Sequence, residues 1–436
     1  MESVESRLWP IPAAAIVLAV ALGIVLPRVD LLLDASLPDA VDSAVFNGGA
    51  DTARSVLSSI AGSLITATSL TFSLTVIALQ LASSQASPRV LRLFARDRQV
   101  QWTLAAFMGT FAYSITVLRS VRSPADDEPA FVPRISVTVA FLLTLLSVAM
   151  LIFFLAHLAK QLRVETMLKE IHAQTDEAMR LVSGRNRELV PFGGEVIPPT
   201  DAHAVLAVES GFITRSDPVA LMQFAHDHDI VVQEMRQVGD NVVAGSVLAR
   251  WWAQGEAHRV DTSDVDAALR DFYAIRFERV SVEDVRYGMQ QIVDIALRAL
   301  SPGLNDPTTA VHALGHLSAI LTRCAAMSRA PSAAADDSGA LRVLGPRPTA
   351  ADDVRTAIAP IRHYGATHPA VVARLLQLAR ELSEQCENEA VRTVLEQELE
   401  ALARQLDVEQ DDPASARELK EETLAVRLAL ATRSHT

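Results

Sequence analysis

The sequence has no charged residue between Arg54 and Arg89, a run of 34 residues. A stretch of this length without charge excludes a water-soluble domain and indicates a membrane-spanning helix. As one helix the run would be about 51 Å long at about 1.5 Å per residue, against about 30 Å of bilayer hydrocarbon. The helix must therefore tilt or extend beyond the lipid.

Cysteine is also scarce. Cys324 and Cys386 are the two cysteines of the chain, both beyond the apolar stretches and without paired spacing, so we expect reduced cytoplasmic thiols packed as small hydrophobic residues. The sequence contains no nucleophile elbow, phosphate loop, paired-cysteine cluster or zinc-protease helix. Catalysis therefore has no support, and we expect a protein that is not an enzyme and that has no cofactor or metal.

Three further stretches are long and apolar, so we predict four membrane spans at about residues 8–27, 55–86, 99–118 and 135–159. None of these spans contains Asp, Glu, Lys or Arg, and proton-coupled transporters need such groups as relays. Proton-coupled transport is therefore disfavoured. Pro27 and Arg28 follow the first span where a cleavage site would need small residues, so we expect this span to be retained.

A basic loop follows the second span and sets the predicted orientation. Its cations are Arg89, Arg92, Arg96 and Arg98. Because Lys and Arg in short loops resist translocation, we expect this loop and both chain termini to be cytoplasmic. The loop is either a topology anchor or an electrostatic latch against an acidic cytoplasmic domain.

The acidic charge lies beyond the spans. Residues 1–160 hold 11 basic and 11 acidic side chains, which leaves 28 basic and 41 acidic for residues 161–436. The net charge of −13 therefore belongs entirely to the second part. Its acidity disfavours nucleic acid as a partner, and its length is sufficient for one or two cores of its own.

The predicted fold class is an α-helical membrane domain of four transmembrane helices followed by a cytoplasmic α+β module and an α-helical subdomain. We place the boundaries at 1–160 for the membrane domain, 161–200 for a helical stalk and linker, 201–262 for the α+β module and 263–436 for the helical subdomain, with a flexible loop near 330–351 in which Leu341–Leu344 could form a strand. The stalk should continue the fourth span and dock on its own domain or on a neighbouring subunit. Within the module we expect a helix at Asp217–His226, with Asp217 as its cap.

The second span carries a polar stripe. Its members fall within a sector of about 100° on a helix: Ser55, Ser59, Ser63, Thr66, Ser73, Gln80 and Ser84. Such a stripe can line a hydrated pore, or it can form a tight helix–helix contact in which small hydroxyl residues let the backbones approach. Both interpretations stay open.

Two other groups are candidate binding sites. Ser301, Asn305, Asp306 and Thr308 lie at a predicted helix start, where they could hold a ligand or simply cap the helix. His312 and His316 have a spacing compatible with a metal, but no clear third ligand accompanies them. We therefore expect no metal there.

Two stretches resemble a known family. They are 87–119, which includes Ser87-Pro88-Arg89 and Gly109-Thr110-Phe111, and 294–310, which includes Leu300-Ser301-Pro302-Gly303-Leu304-Asn305-Asp306-Pro307. Both are similar to the bacterial membrane-protein family catalogued as domain of unknown function 2254. Here Asp284-Val285 precedes Tyr287-Gly288 where that family has an acidic residue followed by proline. The resemblance implies a multi-pass protein of the bacterial plasma (inner) membrane, and it supplies no activity and no catalytic residues.

Two functions fit these observations. The first is an oligomeric channel or pore-type permeation protein whose cytoplasmic domain senses a ligand. The second is a non-conducting membrane sensor or scaffold that presents a cytoplasmic partner-binding domain. In either case the expected partners are the lipid bilayer, further copies of the chain and an unidentified cytoplasmic ligand or protein.

Overall fold

The computed structural model describes residues 10–33, 45–85, 98–123, 131–161, 163–254, 262–280, 282–327, 329–406 and 413–432. The chain divides into two compact units, Met1–Thr166 and Met167–Thr436. The first unit is helical, and the second combines helices with two sheets.

The N-terminal unit is a bundle whose helices are α1 (Pro10–Leu33), α2 (Ala50–Gln85), α3 (Arg98–Leu118) and α4 (Arg134–Gln161). Three stretches within α1, α2 and α4 are long and apolar enough to cross a membrane, namely Pro10–Leu32, Ala50–Leu81 and Arg134–Gln161. Three of the four predicted spans are thus matched by such helices. The predicted third span forms α3, which is a helix of 21 residues but is not one of these three.

Helix α3 lies at the centre of the bundle and packs against α1, α2 and α4. Its buried residues include several polar ones, among them Gln101, Thr103, Thr110 and Ser114. Thr110 Oγ1 lies 3.1 Å from Ser147 Oγ of α4. These polar side chains lower the mean hydropathy of α3, and they are buried among other helices, where hydrogen bonds between helices are available.

A buried carboxylate joins α1 to α4. Asp30, which is 5% exposed, accepts hydrogen bonds from the backbone N–H of Ile135 at 2.8 Å and of Ser136 at 2.9 Å. Its second oxygen also accepts from Ser136 Oγ at 2.6 Å. Asp30 thereby satisfies the free N–H groups at the start of α4, where a negative charge is also favoured by the helix dipole.

The C-terminal unit contains the helix α5 (Val164–Asn186) from Met167 onward. Its remaining helices are α6 (Pro218–Asp227), α7 (Thr262–Asp271), α8 (Val285–Ala299), α9 (Pro307–Ala326), α10 (Ala350–Gly365), α11 (Pro369–Gln385), α12 (Glu389–Leu406) and α13 (Pro413–Thr432). Its strands are β1 (Val190–Pro191), β2 (His203–Leu206), β3 (Gly211–Ser216), β4 (Ile230–Glu234), β5 (Asn241–Val242), β6 (Val247–Ala253), β7 (Tyr273–Arg276), β8 (Ala333–Ala335) and β9 (Leu341–Leu344).

The larger sheet has the strand order β1-β8-β9-β4-β6-β2, and the smaller has the order β5-β3-β7. The pairs of the larger sheet are antiparallel except β4 with β9, which are parallel with Val232 opposite Val343. Strands β4 and β6 bury Ile230, Val232 and Leu248 in a core that also takes in Leu221 of α6.

Two of the predicted boundaries differ from the structure. The loop predicted near 330–351 contains β9 at the strand foreseen for Leu341–Leu344 and also β8, which was not foreseen, while residues 336–340 and 345–349 form turns and irregular structure. The α+β module is also not confined to 201–262, because its larger sheet takes β1, β8 and β9 from outside that range. The alanines of β8 have little strand propensity of their own, and they form a strand because β9 and β1 pair with them.

The predicted stalk is a separate helix. Helix α4 ends at Gln161 and α5 begins at Val164, so the helix does not run on unbroken from the fourth span. The buried face of α5 includes Leu168, Ile171 and Thr175 and packs within its own unit. A Cβ on Gly288 of α8 would lie only 2.0 Å from Thr175 Oγ1, which shows how closely α5 and α8 approach.

Candidate functional site

The polar stripe of α2 lies on the face that the bundle leaves uncovered. Six of its residues are exposed: Ser55, Ser59, Ser63, Thr66, Ser73 and Gln80. The inward face of α2 is almost opposite and buries Ala53, Leu57, Ile60 and Leu64. The stripe therefore packs against no helix of its own bundle among the described residues.

The hydroxyl groups of the stripe bond to their own helix. Ser63 Oγ donates to the carbonyl of Ser59 at 2.7 Å, and Thr66 Oγ1 donates to that of Gly62 at 3.0 Å. Ser73 Oγ donates to the carbonyl of Ser69 at 3.0 Å. Bonds of this kind let small polar residues face lipid, another helix or water, since no donor is left unsatisfied.

Part of the predicted site lies outside the described residues. This applies to Arg89, Arg92 and Arg96 of the basic loop and to the side chain of Ser84. Arg98 is the first residue of α3 and is exposed. The anchor and latch interpretations of this loop therefore stay predictions.

The turn between α8 and α9 is built as a helix cap. Asp306 accepts from the backbone N–H of Thr309 at 3.1 Å and from its hydroxyl at 2.6 Å. Asn305 has a φ of +47°, and Ser301 Oγ donates to the carbonyl of Arg298 at 2.6 Å. Hydrogen bonds from Thr309 lower the pKa of Asp306. These residues, together with the exposed Thr308, do what a cap requires.

Of the two histidines of α9, His316 packs against α5 and His312 is exposed. His316 Nδ1 lies 2.9 Å from Nδ1 of His172 on α5, so one ring donates and the other accepts. Burial, the charge of His172 and that of His312 lower the pKa of His316. Among the residues that the structure describes, no three His, Cys, Asp or Glu side chains are grouped so that they could hold a metal ion.

A cavity of about 160 Å³ lies inside the C-terminal unit. It forms where the end of α5, the ends of β3 and β4, the start of α8, the segment after α9 and the start of α10 meet. Apolar walls come from residues such as Val238, Met327 and Pro348. Four arginines also line the cavity: Arg185, Arg286, Arg329 and Arg347.

Carboxylates hold these arginines in place. Arg185 donates to both oxygens of Glu283, at 3.2 and 3.0 Å, and to the carbonyl of Ser216 at 3.0 Å. The hydrogen bond to Glu283 and the charges of neighbouring carboxylates raise the pKa of Arg185, although burial acts in the opposite direction. This bidentate pair joins the end of α5 to the segment before α8 and fixes the plane of the guanidinium group.

Asp353, in the first turn of α10, is shared by two arginines. Arg286 Nε donates to one oxygen at 2.6 Å and Arg329 Nη2 to the other at 2.7 Å. The Asp353 side chain is only 3% exposed, so its charge is compensated by these two partners. Helices α8 and α10 and the segment after α9 are thereby held together.

Glu234, at the end of β4, is the most buried carboxylate of the cavity. It accepts from Ser216 Oγ at 2.9 Å and is paired with Arg347, and the Tyr273 hydroxyl lies 3.4 Å away. Burial together with the Glu234 charge raises the pKa of Tyr273 well above its usual value. The tyrosine therefore stays a neutral donor throughout the physiological range.

The turn at Gly239 supports the fourth carboxylate, Asp284. Asp284 caps α8 by accepting from the backbone N–H of Tyr287 at 2.9 Å, and it is gripped by Arg279 at 2.5 and 3.0 Å. Gly239 has a φ of +94°, and a Cβ there would lie 2.6 Å from Arg279 and 2.7 Å from Asp284. The turn therefore requires glycine for both conformation and space.

Sequence patterns alone do not reveal this cavity. Most of the paired residues are far apart in the chain: Arg185 and Glu283 are separated by 98 positions, and Arg347 and Glu234 by 113. The pair of Arg279 and Asp284 is the exception, with a separation of five positions. A usable signal is positional, since these charges stand at the ends of strands or helices, where loops converge.

A family model and two mycobacterial relatives match most of the chain. The family model described as "Predicted membrane protein (DUF2254)" matches residues 5–381. The Uncharacterized protein MT1328 of Mycobacterium tuberculosis is 33% identical over 408 residues, which is 93% of this chain and 77% of that protein. The Uncharacterized protein Mb1321c of Mycobacterium bovis has the same identity and coverage.

No solved structure matches the chain. The family match nevertheless covers most of its length and includes both stretches in which the resemblance was found. The chain therefore belongs to the DUF2254 family of predicted membrane proteins.

Proposed function

We propose that the chain is an oligomeric pore-type permeation protein of the bacterial plasma membrane, in which the α2 helices of several copies surround the pathway. The observation that carries this proposal is the exposure of all six described stripe residues on one face of α2. A polar face that points away from its own bundle meets lipid, water or another copy. Meeting other copies around a hydrated pathway leaves the fewest polar groups in lipid.

The length of α2 supports the same arrangement. Its 36 residues would extend about 54 Å, which exceeds the bilayer hydrocarbon by about 24 Å. A helix of this length can carry a pathway beyond the lipid toward a domain on one side. In this proposal α3 also crosses the membrane as the third of four spans, both termini are cytoplasmic, and the C-terminal unit is the sensing domain.

A non-conducting sensor or scaffold is the second candidate, and one observation favours it. Leu70 and Ile77 fall within the angular sector of the stripe and are 56% and 50% exposed. These apolar side chains interrupt the polar face, as in a helix that packs against a neighbour or lipid. Neither candidate assigns the chain an enzymatic activity or a nucleic-acid partner.

The deciding experiment is single-channel and flux recording of the purified chain in liposomes. The test variant is the double substitution Ser63→Trp and Thr66→Trp, which places two bulky rings on the stripe. The matched control is Ile65→Trp and Phe72→Trp, which alters exposed positions about 100° around the same helix. The proposal expects conductance that the first variant abolishes and the second retains.

Other outcomes contradict the proposal in distinct ways. Silence from folded, inserted protein under varied voltage, tension and pH would favour the sensor or scaffold. An equal loss of conductance in both variants would show that added bulk anywhere on α2, and not specifically on the polar stripe, blocks conduction. Reagents that reach cysteines placed at Ser59, Thr66 and Ser73 would independently indicate a wet stripe, and protection would indicate packing.

A further inference from the structure

We propose that the cavity of the C-terminal unit binds a small organic oxyanion through its four lining arginines. This inference rests on the proposed function in one respect, because it names the ligand class of the sensing domain. Binding is measured without any conductance, so the two proposals can fail separately.

The charge balance of the cavity is the first argument. Residues 161–436 hold 28 basic and 41 acidic side chains, yet the cavity lining holds four arginines and four carboxylates. The ratio of basic to acidic side chains is therefore higher in the cavity lining than in residues 161–436 as a whole. Arginine is also the cation best suited to bind planar or tetrahedral oxyanions, since its N–H groups match them in pairs.

Hydrogen-bond capacity is the second argument. The oxygens of Glu234, Glu283, Asp284 and Asp353 each accept at least one bond from protein groups. The arginines are less fully used: Arg286 and Arg347 each donate one side-chain bond within the described residues. Because a guanidinium group carries about five N–H donors, the lining has an excess of donors over acceptors. A ligand rich in acceptors complements it.

Buried atoms point the same way. Arg286 Nη2 and Arg347 Nε are both enclosed and have no hydrogen-bond partner among the described residues. Enclosed polar atoms without partners cost free energy, and native structures contain few of them. A small rotation of either side chain toward an anion would supply the missing acceptor.

The size and walls of the cavity define the ligand further. A volume of about 160 Å³ accommodates several heavy atoms but lies below the roughly 300–1,000 Å³ of pockets for drug-sized molecules. Apolar contacts from Val238, Val285, Met327 and Pro348 suit a short carbon skeleton. The ligand class is therefore a small organic carboxylate or phosphate ester, and not a nucleotide.

The test is isothermal titration calorimetry on the full chain in detergent, with succinate, inorganic phosphate and the cation putrescine as probes at millimolar concentration. The wild type is expected to bind at least one of the two oxyanions saturably at one site per chain and to leave putrescine unbound. Preference for succinate would identify a carboxylate ligand, and preference for phosphate would identify a phosphoryl group.

Two variants test the assignment of the arginines. Arg286→Gln leaves Asp353 with its second partner, Arg329, so folding is preserved. The double substitution Glu234→Gln and Arg347→Gln removes a whole ion pair without changing the net charge. Each should weaken binding about tenfold to hundredfold, the value expected for loss of a charge-assisted hydrogen bond.

The matched control is the double substitution Glu398→Gln and Arg362→Gln. The Arg362 side chain is 17% exposed, as is that of Arg347, and Arg362 Nε donates to Glu398 over 2.8 Å. Neither residue of this control pair lines the cavity. This control should bind as the wild type does. The proposal is overturned if folded protein binds neither oxyanion, if putrescine binds instead, or if the control loses affinity as much as the cavity variants.

Discussion

The contact between Gly288 and Thr175 yields a prediction whose size follows from the structure. Gly288 lies in the first turn of α8, and the β-carbon that alanine would add there meets Thr175 Oγ1 at 2.0 Å, Cβ at 3.0 Å and Cγ2 at 3.1 Å. Thr175 is 1% exposed, and its hydroxyl donates to the carbonyl of Ile171 at 2.7 Å. The threonine therefore has little room to move away.

The expected cost combines two opposing terms. Overpacking of a core costs about 1–3 kcal/mol, and an overlap this close belongs near 3 kcal/mol. Alanine gains about 1 kcal/mol over glycine through helix propensity. Gly288→Ala should therefore lower the free energy of unfolding by about 2 kcal/mol, which corresponds to a fall in Tm of about 4–8 °C.

The assay is thermal denaturation of the full chain in detergent, followed by near-UV circular dichroism. Gly315→Ala is the control, because Gly315 lies in the middle of α9 and the nearest atom to its added Cβ is 4.0 Å away. It should raise Tm slightly. Thr175→Ala removes Oγ1 and Cγ2, which would lie 2.0 and 3.1 Å from the added Cβ, so it should restore most of the stability of Gly288→Ala.

One result would refute this reasoning. If Gly288→Ala is as stable as the wild type, or if Thr175→Ala adds its own loss without any rescue, α5 and α8 do not approach as described. A double-mutant cycle separates these cases, because only contacting residues give a coupling energy of about 0.5–3 kcal/mol.

Two further predictions concern titratable groups. Folding lowers the pKa of His316, so the folded chain binds a proton at this ring less readily than the unfolded chain does. The free energy of unfolding should therefore fall as pH drops below about 6.5. His316→Gln should flatten this pH dependence, whereas His363→Gln on the surface should not. The titratable groups that act on the His316 ring are His172 and His312, and Asp176 lies 3.5 Å from His172 Nε2. If the stability of His316→Gln depends on pH as that of the wild type does, the prediction is wrong. Burial raises the pKa of Cys324 to about 12, so a maleimide at mildly alkaline pH should leave this thiol unmodified until denaturant is added. Modification of Cys324 before denaturant is added, detected by mass spectrometry, would show that the contact between α5 and α9 opens.

Local signals predicted the starts of α6 and α9. Asp217 and Pro218 predicted the beginning of α6, where Asp217 accepts from the N–H of Ala220 at 3.1 Å. Asp306 and Pro307 predicted α9 in the same way. A capping side chain followed by proline acts within a few residues, so its effect can be read from the sequence alone.

Features that depend on distant residues were not predictable in this way. Strand β8 consists of alanines, which favour helices, and it exists because β1 and β9 flank it. Of the cavity arginines, Arg347 is adjacent to Glu234 only through the fold. An isolated charge at the end of an element is indistinguishable in sequence from a solvated one.

The parallel pairing of β4 with β9 has a consequence during synthesis. The side of β4 that includes Val232 has no partner until Val343, about 110 residues later, has been synthesised. At roughly 5–20 residues per second the ribosome needs about 5–20 s to deliver β9. For that time β4 presents an open apolar edge, the kind of surface to which other chains add strands. Truncations that end between these two strands should therefore aggregate, and the nascent chain has a window in which a holdase chaperone would be most useful.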